Sequence, residues 1–336
     1  MLPDSITSMG TYIFSGCTSL QKVHIPQERK NITEGTFQNC TSLQSIELPD
    51  GLQYIRKNAF RGSGLTEITI PNNVVEVEDS AFRECADLSK VTLGEKLKTL
   101  GQYTFYKCPV LSGIALPDSL TTMGIYCFAE CDKLAAVTFG TGLMKIPSYA
   151  FNLCQSLKKI ELPYRLQTVY ANAFTNCTSL TEVTIPRNTS SIASNAFSYP
   201  TKMTVYGITG TYAETYAKSV GAKFVNKEVK ATKVQLSETN LSINKGETTT
   251  LILTVTPQNF TDEVTWKSSN TNVVTISDAG VVTAKAAGTA TIRVTVGSVS
   301  ASCKVTVLQP VTSISLNKSS LTLEGGDSFT LVASVY

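Results

Sequence analysis

The sequence has little of what catalytic and metal sites are built from. Its 336 residues include one histidine, His24, and one tryptophan, Trp266. A serine or cysteine triad needs a histidine beside the nucleophile, and His24 falls in a predicted strand next to Lys22, so no triad of the usual kind can be built. The sequence has no Gly-x-Gly-x-x-Gly, phosphate-loop or His-Glu-x-x-His motif. It therefore predicts a chain that is not an enzyme and that holds no cofactor.

Charge and long apolar runs are also scarce. Charged residues make up 16% of the chain, and its net charge of +3 comes from interleaved acids and bases. No basic stripe is left for a phosphate backbone, which excludes nucleic acid as a partner. No run approaches the ~18 apolar residues of a membrane span, which predicts no membrane insertion. Met1 leads directly into Leu2-Pro3-Asp4, so we expect any export signal to lie outside this fragment.

One apolar residue recurs at an almost constant interval. The interval is 23 residues, with a single step of 22. Such a period indicates one unit stacked on itself, because a single unit cannot bury its own apolar face. The sequence therefore predicts a solenoid of about nine coils, with its repeated residue at Phe14, Phe37, Phe60, Phe82, Phe105, Phe128, Phe151, Phe174 and Phe197.

Each unit has three segments. The last alternates with a period of two, as in Val137-x-Phe139, which predicts a strand; the same pattern predicts strands at Val23–Ile25, Ile46–Leu48 and Val183–Ile185. Proline or glycine follows each strand and turns the chain. The middle segment, Ala-Phe-x-x-Cys, is predicted to be a tight turn that places its ring inside the coil. The first segment is predicted to be a second short strand.

The cysteines follow the same repeat. Zinc sites need convergent ligands, normally with histidine or a Cys-x-x-Cys pair, which this ladder lacks. Stacked equivalent thiols point in parallel, which disfavours disulfides between neighbours. We therefore expect free buried thiols three residues after the repeat Phe, at Cys17, Cys40, Cys85, Cys108, Cys131, Cys154 and Cys177. Cys127 is predicted to be core as well, and Cys303 has no evident partner.

The period ends after the solenoid. Residues 211–218 predict a short capping helix, with Thr211 as N-cap, Gly221 as stop and Tyr212 and Tyr216 facing the last coil. Short alternating strands with Gly and Asn turns then predict a sandwich in which Trp266 anchors the core. These strands are Lys233–Leu236, Thr249–Val255, Glu263–Trp266, Val273–Ile276, Val281–Ala284, Thr291–Val296 and Ser302–Val307.

The repeat resembles the BspA-like leucine-rich repeat family, whose unit reads Leu-Pro-x-x-Leu-x-x-Ile-Gly-x-x-Ala-Phe-x-x-Cys-x-x-Leu-x-x-Val-x-Ile-Pro, over residues 1–208. Residues such as Trp266-Lys267-Ser268-Ser269 and 280–284 resemble the bacterial immunoglobulin-like domain of group 2, whose pattern restarts at Val311–Leu316. The resemblance implies a bacterial or protist surface protein, often an adhesin, located outside the cell.

The predicted fold is mainly β, a leucine-rich-repeat solenoid with a helical cap followed by an immunoglobulin-like sandwich. The predicted domains are 1–226 for the solenoid with its cap, 227–231 for a linker, 232–308 for the immunoglobulin-like domain and 309–336 for the N-terminal part of a second, truncated one.

One surface feature exceeds the background of the repeat. Three successive coils carry Tyr103, Tyr126 and Tyr149 two residues before the repeat Phe, a position that holds Tyr12, Gly35, Asn58, Ser80, Asn172 or Asn195 in the other coils. Stacking turns them into a strip suited to protein or glycan contact, although the rings could also merely cover the solenoid edge. Three functions stay open: an adhesin for a host or neighbouring-cell surface protein, a glycan-binding module, and a passive stalk. The immunoglobulin-like part is a spacer in each.

Overall fold

The computed structural model describes residues 8–257, 260–309 and 313–335. The start of the chain at Met1–Asp4 and the restart residues Val311 and Thr312 lie outside them. The chain divides into two compact units, with residues 1–235, 252–263 and 296–299 in the first and all others in the second. The fold is mainly β, as predicted, and contains one α-helix among the described residues.

The first unit is a solenoid of parallel strands. Strands pair in parallel with their equivalents in neighbouring coils, as Ile68 does with Val91 and Ile114 with Val137. The two-residue strands and the longer strands form separate parallel sheets, and each set is interrupted along the solenoid. In chain order the strands are β1 (Asn31–Ile32), β2 (Tyr54–Ile55), β3 (Glu67–Thr69), β4 (Glu76–Val77), β5 (Lys90–Thr92), β6 (Thr99–Leu100), β7 (Gly113–Ala115), β8 (Thr122–Met123), β9 (Ala136–Thr138), β10 (Lys145–Ile146), β11 (Lys159–Glu161), β12 (Thr168–Val169), β13 (Glu182–Thr184), β14 (Ser191–Ile192), β15 (Thr204–Gly207) and β16 (Lys223–Asn226).

The first two predicted strands are wrong. Val23–Ile25 and Ile46–Leu48 point apolar side chains at the core, and Ile25 is buried, but neither segment forms a strand. Single backbone bonds such as that from Thr66 N–H to Gln44 O, at 3.0 Å, join this part of the chain to the next coil. A strand requires a continuous ladder, so apolar alternation without such a ladder predicts burial but not pairing.

The repeat phenylalanines form a column along the solenoid axis. The rings from Phe37 to Phe174 are fully buried, and successive ring centroids lie 4.8–5.6 Å apart with their planes nearly parallel. Each ring therefore packs against the rings above and below it. The sequence prediction that this ring fills the coil interior is confirmed.

The cysteine thiols form a hydrogen-bonded column beside the rings. The six buried thiols of the repeat each donate to the carbonyl of the repeat Phe in the preceding coil, as Cys131 does to Phe105 at 3.2 Å and Cys154 to Phe128 at 3.2 Å. Burial raises the pKa of Cys131 to about 12. All nine thiols are free; seven of the eight that were expected to be buried are buried, and so is Cys303. Cys17 is the exception: it is exposed, because among the described residues no coil precedes its own.

Each aromatic turn from that of Phe14 to that of Phe174 holds two residues in the left-handed helical region, whereas the turn of Phe197 holds one, Tyr199. They lie two positions before and two positions after the repeat Phe, and the non-glycine residues among them have φ between 55° and 62°. Asn58, Asn172 and Gly35 occupy the first position in their coils. Asparagine and glycine tolerate this region, whereas other residues are disfavoured there by ~1–2 kcal/mol.

Helix α1 (Tyr212–Val220) caps the solenoid as predicted. Gly221 ends it with φ of 70°, and Ala213, Tyr216 and Ala217 are buried. The Lys218 ammonium lies 2.7 Å from Glu214. Thr211 is the N-cap by its backbone, but its hydroxyl donates to Ile208 O, while Glu214 accepts the bond from Gly210 N–H.

Two further strands, β17 (Lys233–Leu236) and β20 (Leu253–Thr256), pair with each other, and residues 252–263 belong to the first unit. The Thr141 hydroxyl donates to the Leu253 carbonyl at 2.7 Å, and the Thr254 hydroxyl donates to Asp118 at 2.8 Å. The Tyr164 and Phe260 ring centroids lie 4.7 Å apart. Tyr164 and Phe260 are both buried, which makes this contact part of the packed interior of that unit.

The second unit contains two sheets packed on one core. The strands are β18 (Asn240–Asn244), β19 (Thr248–Thr250), β21 (Val264–Ser268), β22 (Val274–Ile276), β23 (Val281–Ala284), β24 (Gly288–Val296) and β25 (Val299–Leu308), followed by the antiparallel pair β26 (Ile314–Leu316) and β27 (Ala333–Val335). The two sheets have the strand orders β18-β25-β24-β21 and β19-β23-β22. Trp266 is half-buried and packs against this core, as expected.

Two strand predictions in this region need correction. Asn240–Asn244, which is not among the predicted strands, forms β18, parallel to β25. Its two asparagines and single serine disguise the alternation of Leu241 and Ile243, which face the core. The predicted strand Thr249–Val255 is divided into β19 and β20, which join different sheets.

The stacked ring column predicts a large loss of stability when one ring is removed. Phe128→Ala leaves a cavity between Phe105 and Phe151, and we expect the free energy of unfolding to fall by about 3–5 kcal/mol. Urea unfolding followed by circular dichroism measures this loss. Thr138→Ala, at an exposed strand position of the same coil, is the control and should change it by less than about 0.5 kcal/mol. If both substitutions lowered the free energy of unfolding equally, the prediction that the stacked rings stabilise the solenoid would be contradicted.

Candidate binding surface

The three tyrosines of the predicted strip lie together. Tyr103, Tyr126 and Tyr149 are half-buried, and their ring centroids are 5.0 Å and 4.6 Å apart with interplanar angles of 5°. The rings therefore stack face to face along the solenoid axis. We call these three residues the tyrosine strip.

The backbone of the three strip tyrosines adopts a conformation that is energetically unfavourable for this residue type. All three residues are in the left-handed region, with φ of 56°, 56° and 61°. The other coils carry Asn, Ser, Gly or, in the first coil, Tyr12 at this position, so the turn itself does not need tyrosine. Three successive tyrosines at a position that favours asparagine or glycine make the strip a candidate for recognition.

Tyr106 supports one side of the strip. Its ring meets those of Tyr103 and Tyr126 edge to face, at 5.5 Å and 6.4 Å. Its hydroxyl donates to Glu130 at 2.5 Å, and burial together with this bond raises the pKa of Tyr106 to about 12. The Arg83 guanidinium lies over the rings of Tyr103 and Tyr106, at 5.6 Å and 5.2 Å. Sequence reasoning missed Tyr106, because no neighbouring coil repeats it.

The turn surface beside the strip is uncharged. At the two positions just before the strip column, the earlier coils carry charged residues such as Arg56, Lys57, Glu78 and Asp79. From the coil of Tyr103 onward, all five coils lack charge at these positions, and Ile125 and Tyr170 are 37% and 42% exposed. The tyrosine face is the strip together with Gly101, Gln102, Gly124, Ile125, Pro147, Ser148, Tyr170 and Ala171.

Stacking decides which parts of the rings are available. Both faces of Tyr126 are covered by its neighbours, and Arg83 lies over the ring of Tyr103. Burial and then the neighbouring Tyr149 and Tyr103 raise the pKa of Tyr126, so its hydroxyl stays protonated at neutral pH. The strip therefore presents ring edges and hydroxyl groups, and a sugar that needs a free aromatic face does not find one at its centre.

A second surface, on the three-residue strands, carries small residues. Gly113, Ala115, Ala136 and Thr138 lie on β7 and β9, and a depression of about 240 Å³ extends from Ala136 and Thr138 to Lys159 and Glu161. Glu161 is paired with Lys227 at 3.6 Å, and none of the lining side chains is a buried polar group aimed into the depression.

The other candidates for catalysis or metal binding are His24 and groups of His, Cys, Asp or Glu side chains. His24 is half-buried in the first coils. Among the described residues no group of three or more His, Cys, Asp or Glu side chains is arranged to hold a metal ion. In the same part of the chain, no helix is long and apolar enough to cross a membrane.

Stacked parallel coils with an aromatic ring in each turn and a sandwich domain behind them define a class of leucine-rich repeat proteins. Residues 1–112 and 98–217 match the BspA type leucine rich repeat region, in six copies, and residues 230–307 match the bacterial Ig-like domain of group 2. The chain belongs to the BspA type leucine rich repeat family. Both families are typically non-catalytic surface domains, so the chain fits a non-enzymatic surface module.

Comparisons with individual proteins are partial. An uncharacterized protein of Clostridium acetobutylicum is 34% identical over 32% of this chain, and the kappa-carrageenase of Pseudoalteromonas carrageenovora is 46% identical over 23% of it. The chain spans only 11% and 20% of the length of these two relatives.

Solved structures give similar partial matches. A leucine rich cell surface protein from Faecalibacterium prausnitzii is 26% identical, with a TM-score of 0.41 over 62% of this chain and 65% of that one. The leucine-rich repeat protein of T. pallidum is 25% identical, with a TM-score of 0.43 over 47% and 77% of the two chains.

The left-handed turn predicts which replacement of a strip tyrosine is tolerated. Tyr126→Asn removes a stacked ring, worth about 0.5–1.5 kcal/mol, but relieves a similar backbone cost, so we expect little net change in unfolding free energy. Tyr126→Val removes the ring and introduces a β-branched side chain at positive φ. This variant should therefore be less stable than Tyr126→Asn by about 1–2 kcal/mol.

Thermal and urea unfolding of the two variants measure the difference. Asn58 and Asn172 hold the equivalent place in their own coils, with φ of 57° and 59°, and show that asparagine fits it. A valine variant as stable as the asparagine variant would contradict the strained turn.

Proposed function

We propose that the chain is a protein-binding module of a bacterial cell surface, and that its solenoid recognises a host or neighbouring-cell protein through the tyrosine face. The observation that carries this proposal is an uncharged aromatic patch with charged residues at its border, Arg83, Lys107 and Glu130. The cores of protein interfaces are depleted in charge and enriched in tyrosine, and their rims are polar.

The rigid setting of the patch supports the same function. The strip tyrosines are ordered by stacking and by fixed turns before any partner arrives, so little side-chain entropy is lost on binding. A glycan-binding role has less support, because both faces of the central ring, Tyr126, are covered by its neighbours and Arg83 lies over the ring of Tyr103. A passive stalk would gain nothing from strained tyrosines on its surface.

The remaining parts of the proposal rest on the families. We assign the module to the outside of the cell, either surface-bound or secreted, with no enzymatic activity, and the immunoglobulin-like part to spacing. We retain 1–226, 227–231, 232–308 and 309–336 as its divisions. Three residues of the last segment, Leu321, Gly326 and Leu331, follow Leu241, Gly246 and Leu251 at an interval of 80 residues, which supports a second domain of the same kind.

A parallel binding screen tests the proposal. The chain, its Tyr103→Asn/Tyr126→Asn/Tyr149→Asn variant and a strand-face control, Thr69→Ala/Thr92→Ala/Thr138→Ala, are applied to a panel of extracellular matrix proteins and to a glycan array. We expect at least one matrix protein to bind, the asparagine variant to bind it at least tenfold more weakly, and the control to bind it equally.

Asparagine is used because the variant should remain folded, which circular dichroism verifies. Equal binding by the chain and the asparagine variant would contradict the tyrosine face as the site. Binding that free sugar competes away would favour the glycan alternative.

A further inference from the structure

We propose that the tyrosine strip recognises a proline-rich segment in the polyproline II conformation. This inference rests on the proposed function and names the chemistry of the partner. It begins from what the strip offers to a ligand: ring edges, which carry the positive part of the aromatic quadrupole, and phenol hydroxyls, which can donate. Both kinds of group favour a ligand that presents oxygen acceptors.

A polyproline II segment is such a ligand. It has no internal hydrogen bonds, so all of its backbone carbonyls are free to accept. Proline also lacks an N–H, so a proline-rich segment brings few backbone donors that would need acceptors at the interface. Helices and strands inside sheets have already committed their carbonyls to their own ladders. An acceptor-rich backbone therefore fits a row of donors best.

The spacing of the strip fits the same conformation. Successive rings are 5.0 Å and 4.6 Å apart, so Tyr103 and Tyr149 are separated by about one polyproline II turn, which is three residues or ~9.3 Å. Carbonyls three residues apart point the same way and can each meet one of these hydroxyls. The central hydroxyl, of Tyr126, has that of Tyr149 as a hydrogen-bonding neighbour and is not left without a partner.

The surroundings of the strip supply apolar contact. Ile125, Pro147 and Tyr170 lie beside it, and Ile125 and Tyr170 expose more than a third of their surface. Pyrrolidine rings of a bound segment can pack on these side chains, as they do in aromatic-lined polyproline sites. The tyrosine face carries no charge, so the segment needs none.

Calorimetric titration with decaproline tests the inference, with a Gly-Ser peptide of equal length as the flexible, uncharged comparison. We expect the chain to bind decaproline and not the Gly-Ser peptide. Tyr103→Phe/Tyr149→Phe keeps both rings and removes two hydroxyls, and should weaken binding about 25-fold, at about fivefold for each neutral hydrogen bond. Tyr12→Phe is the matched control, since Tyr12 holds the same column position in another coil and donates to Glu34.

Each outcome has a separate meaning. If decaproline does not bind while a matrix protein still distinguishes the chain from its asparagine variant, the polyproline inference is wrong and the proposed function stands. If the phenylalanine variant binds decaproline as well as the chain does, recognition by the hydroxyl row is wrong. If neither decaproline nor any matrix protein depends on the tyrosines, the inference and the proposed function both fail.

Discussion

The stacking of identical positions, one coil on the next at about the 4.8 Å spacing of paired strands, is the constraint on which this solenoid depends. It places every residue on the residue one period away, so the interior becomes columns of one side-chain type. Phe128 packs between two other phenylalanines, and the Cys154 thiol reaches the Phe128 carbonyl. A single substitution therefore affects three coils, and the period is kept almost without variation over nine of them.

The same stacking acts on the outside, where it is free to make recognition surfaces. A side chain that is repeated in adjacent coils forms a continuous strip on the surface, whereas one that occurs in a single coil can lie at the edge of such a strip. The tyrosine strip depends on three successive tyrosines, while Tyr106 and Arg83 occur once each at its edge and hold it by edge-to-face and cation contacts. Stability is thus carried by the inner columns, and the turn column can change with little effect on the coil.

The sequence predicted those features that the repeat itself expresses. The Phe column, the cap around Tyr216 and the free thiols follow from period and residue type, and the structure agrees. It disagrees where local pattern competes with long-range pairing: Val23–Ile25 alternates but lacks a continuous ladder, and Asn240–Asn244 pairs although polar residues obscure its alternation. The position of the strip was predictable, but its left-handed backbone, the coverage of its ring faces and the part played by Tyr106 were not, because they depend on coordinates.

Those missed features determine what the strip can do. Exposed aromatic faces would suit sugars, and the sequence, which shows only that three tyrosines are aligned, leaves the choice between a glycan and a protein ligand open. Because the rings stack on each other, both faces of the central ring, Tyr126, are covered, and the strip presents ring edges and hydroxyl groups there. A φ near +60° in all three coils fixes this orientation before binding. The recognition that we propose therefore requires a partner with hydrogen-bond acceptors at the repeat of the coils, a constraint that composition alone does not contain.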